Sequence, residues 1–234
     1  AILGCGEHAI RGHVEPGNNV PELELIAAYD PDSARMEAAR DARRTITTFT
    51  RYKDEAALFK NPNIAAVVIA SPDRHHMSSL AAAIEHGKHV LCDKPLVDSL
   101  EDLELLRKTL DVAAQRGLVV TSCHPRRFDP PYVWLKQMLP PLMADFGSVL
   151  SIELDFSYHR PSKAGLHRGL LADHFNHEFD LLHFLCGHAR THVTKHCDSD
   201  TRYMASGWRN DHIGFTFHGT RMLQTHYYRE FVRV

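Results

Sequence analysis

Lys88-His89-Val90-Leu91-Cys92-Asp93-Lys94-Pro95-Leu96 is the stretch on which the reading of the fold turns. Val90, Leu91 and Cys92 make a short apolar run, closed by an acid, a lysine and a proline. Proline has no amide hydrogen to give a strand ladder, so the strand ends there. A run that is apolar on both sides suits a strand covered on both faces, as in a parallel sheet. Open α/β sheets bind their ligands at the carboxyl ends of strands, which is where Lys94 falls.

The surrounding sequence repeats this pattern. Ile64-Ala65-Ala66-Val67-Val68-Ile69-Ala70 is apolar throughout. Further strands are expected at residues 1–3, 23–29, 45–49, 89–92 and 118–122, with helices at 33–43, 55–59, 77–86 and 100–116. Ser99 is placed to cap the last helix, with Asp102 in its first turn and Gly117 closing it. Alternating strands and helices imply βαβ units and a parallel sheet.

The first strand runs into Gly4-Cys5-Gly6-Glu7-His8-Ala9, which fits G-x-G-x-x-G/A. In such a turn the first glycine permits the tight bend and the second lets a pyrophosphate reach the backbone. The third small residue lets helix and strand pack closely. The second strand ends at Asp30, where a ribose-binding acid belongs. The alternative for Asp30 is a turn acid that caps the next helix, in Asp30-Pro31-Asp32-Ser33. A carboxylate there would accept bonds from ribose hydroxyls and repel a 2′-phosphate, so NAD is expected over NADP.

After Cys123 the pattern changes. Pro125, Pro130, Pro131, Pro140 and Pro141 suggest a linker and a broken helical stretch. Residues 148–158 alternate as a half-buried antiparallel strand, with a slip near Leu150. A helix is expected over 170–186, then strands over 192–197, 213–217 and 222–228, with a hairpin turn at His218-Gly219-Thr220. This divides the chain into a dinucleotide-binding domain, 1–122, and an α+β domain, 123–234. Residues are expected to be missing at both ends, since Ala1-Ile2-Leu3 already reads as the tail of a strand and the last residues read as another.

Bulk properties exclude several classes. Lys plus Arg is 27 and Asp plus Glu is 29, a net charge of -2 that provides no field for nucleic acid or an anionic membrane. No apolar run is long enough to span a bilayer. The five cysteines are widely spaced with no CxxC pair, which argues against a disulfide framework and suggests a reducing, cytoplasmic setting. The 18 histidines invite a metal site, but His177-Glu178 has Leu181 where H-E-x-x-H needs its second histidine. Nothing in the spacing around His174 completes a ligand set, and no bound metal is expected.

Asp173 and His177 are four apart, so a helix places them on one face, with Asp180 continuing it. A histidine can take an alcohol proton as hydride leaves, a carboxylate can orient it, and an ammonium such as Lys94 can stabilise alkoxide charge. The plainer alternative is a helix-surface pair at 173 and 177 and a solvated lysine at a strand end. For His76 it is a histidine at a helix N-terminus.

With these residues in view, the chain resembles the glucose-fructose oxidoreductase / inositol dehydrogenase / rhizopine catabolism family. Ser71-Pro72-Asp73-Arg74-His75-His76 is similar to the loop after its fourth strand. Asp93-Lys94-Pro95 resembles its Glu-Lys-Pro, with Asp for Glu. Arg126-Arg127-Phe128-Asp129-Pro130 is similar to its entry into the second domain. Asp173-His174-Phe175-Asn176-His177-Glu178-Phe179-Asp180 resembles its D-x-G-x-H-x-x-D helix, with Phe175 at the usual glycine.

The resemblance implies a Rossmann domain followed by an α+β domain with an open, mostly antiparallel sheet. It implies a cofactor site of Gly4, Cys5, Gly6, Glu7, His8, Ala9, Asp30, Ser71, Pro72, His76, Asp93 and Lys94. Catalysis would fall to Lys94, Asp173 and His177, with Arg127 and His159 also at the substrate. The implied activity is hydride transfer between NAD and a sugar, sugar derivative or cyclitol, by a homodimer or homotetramer joined through the second-domain sheet. A non-catalytic dinucleotide sensor of the same fold is the alternative.

Overall fold

The computed structural model describes residues 1–44, 47–97, 99–159, 169–199, 201–210, 212–223 and 229–234, except for the side chains of 169–175 and 198. It divides into two compact units, Ala1–Cys123 and His124–Val234.

The first unit is a parallel sheet of β1 (Ile2–Leu3), β2 (Ala27–Tyr29), β3 (Thr50–Arg51), β4 (Ala66–Ile69), β5 (His89–Asp93) and β6 (Val120–Cys123). Their spatial order is β3-β2-β1-β4-β5-β6, the doubly wound arrangement. The helices are α1 (Glu7–Ala9), α2 (Glu15–Gly17), α3 (Ser33–Asp41), α4 (Glu55–Phe59), α5 (His76–Glu85) and α6 (Asp102–Gln115). A π-helical segment, Ile10–Val14, joins α1 to α2. One core gathers Leu58, Phe59, Ile64, Leu80 and Ile84. A second gathers Ile2, Val14, Ala28, Met36 and Ala39. Both residues of β1 are buried, as expected of a strand covered on both sides.

Several boundaries differ from expectation. The strand expected at 45–49 is a two-residue edge strand at Thr50–Arg51, where Thr50 pairs with Ala27; residues 45 and 46 lie outside the described set. Both residues of this strand are exposed, so burial leaves no apolar pattern to read. The last helix of this unit begins at Asp102 rather than Leu100, with Glu101 at its N-cap and no side-chain cap bond there; Ser99 lies outside it, its Oγ accepting the Asp102 amide at 3.2 Å and donating to the Asp102 carboxylate at 2.8 Å.

The second unit contains α7 (Pro130–Phe146), β7 (Ser151–Ser157), α8 (Gly169–Cys186), β8 (Thr191–Asp198), β9 (Arg202–Arg209), β10 (Ile213–Thr220) and β11 (Arg229–Arg233). The sheet order is β11-β7-β10-β9-β8. All neighbours are antiparallel except β7 and β10. Ile152, Leu154, Phe215 and Phe217 pack with Tyr132 and Leu139 of α7 and Leu181, Leu182 and Leu185 of α8.

Here three expectations are corrected. Pro125 opens a short 3-10 turn, Pro125–Phe128, but from Pro130 the proline-rich stretch is one continuous helix, α7, through Pro140 and Pro141. An interior proline costs a helix about 3 kcal/mol, and the packing of Tyr132 and Leu139 against α8 offsets that cost. The strand β9 was not expected, because its inward positions include the small residues Ala205 and Gly207. His218-Gly219-Thr220 is strand, not turn. A β-carbon on Gly219 would meet the Phe156 carbonyl at 2.0 Å and the Tyr203 ring at 2.6 Å, so glycine there serves close packing. Of the strand expected at 222–228, residues 224–228 lie outside the described set, and β11 follows them.

The apolar residues of β7 and β10 are therefore covered within the unit. By register, the opposite face of the sheet carries Glu153, Asp155, Ser206, Thr216 and His218 beside Met204, Trp208 and Phe231. That outer face is mostly polar.

Candidate active site

The glycine-rich turn lies where the strand order reverses, between β1 and β4. Gly4 has φ 80°, in the left-handed region. A β-carbon there would stand 2.7 Å from the Ala70 carbonyl oxygen and from the Ser71 backbone. Only glycine lets the turn and the loop after β4 approach this closely. A β-carbon on Gly6 would have nothing within 4 Å, which leaves open space over the start of α1. The Oγ of Ser71 is buried with no hydrogen-bond partner among the described residues.

Asp30 is buried at the end of β2. One carboxylate oxygen accepts the Cys5 amide at 2.8 Å and the other the Asp32 amide at 2.9 Å. Asp32, not Asp30, caps α3, accepting the Ala34 amide at 2.9 Å. The acid at 30 is thus tied to the glycine turn rather than to the next helix. The narrow turn, the open ground over Gly6, the lone Ser71 hydroxyl and the fixed Asp30 carboxylate fit a dinucleotide.

His76 is buried at the start of α5. One ring nitrogen faces the Pro95 carbonyl oxygen at 2.6 Å and the other the Ser71 carbonyl oxygen at 2.8 Å. The ring therefore joins the loop after β4 to the segment after β5 that carries Lys94. Pro72 follows Ser71 in the first loop, immediately before the turn Asp73–His75. Lys94 is half-buried and directly follows β5.

Asp93, the last residue of β5, collects several groups. His13 Nε2 lies 2.8 Å from one carboxylate oxygen and His8 Nε2 3.4 Å from the other. Cys123 is its partner across the sheet, in β6. Burial raises the Asp93 pKa, but the His13 hydrogen bond and the charges of His13, His8 and His76 outweigh it and hold the carboxyl below its ordinary value. Burial and the Asp93 charge push the Cys123 thiol up to about 11. His13 went unnoticed in the sequence because it lies 80 residues from Asp93.

In the second unit, His177 lies on α8, half-buried, its ring edge to face with His124 at 5.9 Å between centroids. Asp180, one turn on, receives the Arg127 guanidinium in a fork and has His124 Nδ1 at 3.7 Å. That bond raises the Arg127 pKa, against its burial. Arg127, expected at the substrate, is thus held by Asp180. His124 was missed by sequence reading; its position just past the end of β6 was the available signal. Asp173 is on α8, but its side chain lies outside the described residues. His159 bridges to Met222, and its Nδ1 contacts the Leu223 carbonyl oxygen.

The chain is 33% identical over 181 residues to inositol 2-dehydrogenase 1 of Saccharopolyspora erythraea, covering 76% of this chain and 51% of that protein. Inositol 2-dehydrogenase 4 of the same organism is 33% identical over 214 residues, covering 88% of this chain and 59% of that protein. The chain thus spans about half the length of these relatives. Among solved structures, scyllo-inositol dehydrogenase of Lactobacillus casei, with bound NAD(H) and scyllo-inositol, superposes with a TM-score of 0.80 at 21% identity, over 99% of this chain and 71% of that one. At that identity the likeness is one of fold. Among the described residues, no helix is long and apolar enough to cross a membrane. Residues 1–124 match the model of an oxidoreductase family with an NAD-binding Rossmann fold, and the chain belongs to that family, the glucose-fructose oxidoreductase / inositol dehydrogenase / rhizopine catabolism oxidoreductases.

Proposed function

We propose that the protein is an NAD-dependent oxidoreductase acting on a hydroxyl-bearing carbon of a sugar, sugar derivative or cyclitol. The observation that carries this reading is the glycine turn at the strand-order reversal, with Asp30 bonded into it. The inositol dehydrogenase relatives support a polyhydroxylated substrate.

When bound, NAD would supply the hydride acceptor. Gly4 and Gly6 leave room for its pyrophosphate, and Ser71 offers the hydroxyl that lacks a partner. The Asp30 carboxylate meets the ribose hydroxyls and stands against a 2′-phosphate. Lys94 stabilises negative charge on the reacting oxygen. His177 takes that oxygen's proton, and Asp173 assists the proton transfer or positions the substrate. In this reading Arg127 acts through Asp180, holding it one turn beyond His177.

Steady-state kinetics of the full-length protein with a panel of inositols and aldoses tests the assignment. Lys94→Ala and His177→Ala should each lower kcat by roughly 10²–10⁴-fold, with NAD affinity held within a few-fold. Their losses should be non-additive, because both act in one proton transfer. Near-normal turnover in either variant would remove that residue from catalysis.

A further inference from the structure

Spacing alone argues against a metal, but folding brings together a trio that spacing cannot show. The Nε2 atoms of His8 and His13 and a carboxylate oxygen of Asp93 all lie within 4.8 Å of one another. His8 and His13 are five residues apart. At 3.6 residues per turn an α-helix would point them ~140° apart. The π-helical segment Ile10–Val14, whose hydrogen bonds run i→i+5, turns them to the same carboxylate. Single π turns inside helices are costly and recur at functional sites.

We propose that His8, His13 and Asp93 form a binding site for a divalent transition-metal ion of the zinc class. Two imidazoles and one carboxylate are the ligand set of open, three-ligand zinc sites. Metal–ligand distances of about 2.0–2.2 Å place tetrahedral ligand atoms about 3.3 Å apart. His8 Nε2 lies 3.4 Å from Asp93 Oδ2 and His13 Nε2 2.8 Å from Oδ1, so ligation through one oxygen needs only a small shift of the exposed His8 ring or of the carboxylate. The 2.8 Å His13–Asp93 bond opens slightly as the ion replaces the proton between them. The side chains of His13 and Asp93 are 8% and 13% exposed, which fixes two ligands in the fold. His8 is 78% exposed and leaves the entry open. The inference does not depend on the dehydrogenase reading.

The test is titration of the full-length, chelator-treated protein with Zn²⁺ by calorimetry and with Co²⁺ by visible absorption, without nucleotide. One saturable site with a tetrahedral Co²⁺ spectrum is expected. Because His8 is exposed, His8→Ala should fold normally, which circular dichroism checks. It should weaken Zn²⁺ binding by more than the 10–100-fold that loss of an outer partner costs, and abolish the Co²⁺ band. Asp93→Asn should do the same, while His192→Ala, on the exposed part of β8, should leave both unchanged. Absence of a saturable site, or a site that survives His8→Ala, overturns the proposal and leaves the trio a hydrogen-bonded clamp.

Discussion

Replacing Glu178 by glutamine removes a proton that the folded second unit keeps to near neutrality. Glu178 is fully buried on α8. Burial pushes its carboxyl up from an ordinary 4.5 to about 7, against the Tyr203 hydroxyl donating to Oε1 at 2.5 Å and the nearby charge of Arg126. Between those two values the folded state holds a proton that the unfolded chain has released. Stability from this residue is therefore fully present below about pH 4.5 and lost as pH rises to about 7. At 1.36 kcal/mol per pH unit the loss is ~3 kcal/mol. Glutamine has no proton to lose, but its amide group would sit where Oε2 has no hydrogen-bond partner among the described residues. That costs about 1–3 kcal/mol at every pH. Glu178→Gln should thus be less stable than the parent near pH 5 and equal or better above pH 7. Urea unfolding followed by tryptophan fluorescence measures this in the right place, since both tryptophans, Trp134 and Trp208, belong to the second unit. Parent and variant stabilities that stay parallel from pH 5 to pH 8 would refute the reasoning.

Asp30→Ala should narrow the preference for NAD over NADP, read as the ratio of the two dissociation constants; a parent that binds NADP more tightly would overturn the role given to Asp30. Gly4→Ala forces a β-carbon to 2.7 Å from backbone atoms at φ 80°. The left-handed conformation alone costs about 1–2 kcal/mol, so a lower Tm by calorimetry and loss of nucleotide binding are expected. Arg127→Ala leaves the Asp180 carboxylate, 9% exposed, without its fork, and should destabilise the second unit by about 1–3 kcal/mol in chemical unfolding. Light scattering on the full-length protein should give a homodimer or homotetramer, with Trp208→Glu on the polar sheet face shifting it toward monomer; a monomeric parent at micromolar concentration counts against that assembly.

Much of the first unit was legible in order along the chain. The run 64–70, the segment ending at Lys94 and the turn from Gly4 to Ala9 are local signals, because a buried parallel strand is apolar by composition and a tight turn needs glycine. The helix carrying Asp173 and His177 was legible for the same reason, as was its stop at Gly187.

What sequence could not decide lies in contacts between distant residues. β9 turns Ala205 and Gly207 inward, and the Phe215 ring occupies the space above Gly207, so its apolar alternation is weak. α7 continues through Pro140 and Pro141 because Tyr132 and Leu139 are held against α8, a tertiary term larger than local helix preference. Asp30 and Asp32 look equally fit to cap α3. Only the approach of Cys5, 25 residues away, commits Asp30 to the glycine turn. The same holds for His13 and Asp93, and for Arg127 and Asp180: spacing along the chain places a residue on a helix or strand, but which charge meets which is decided by the packing that closes the intervening loop.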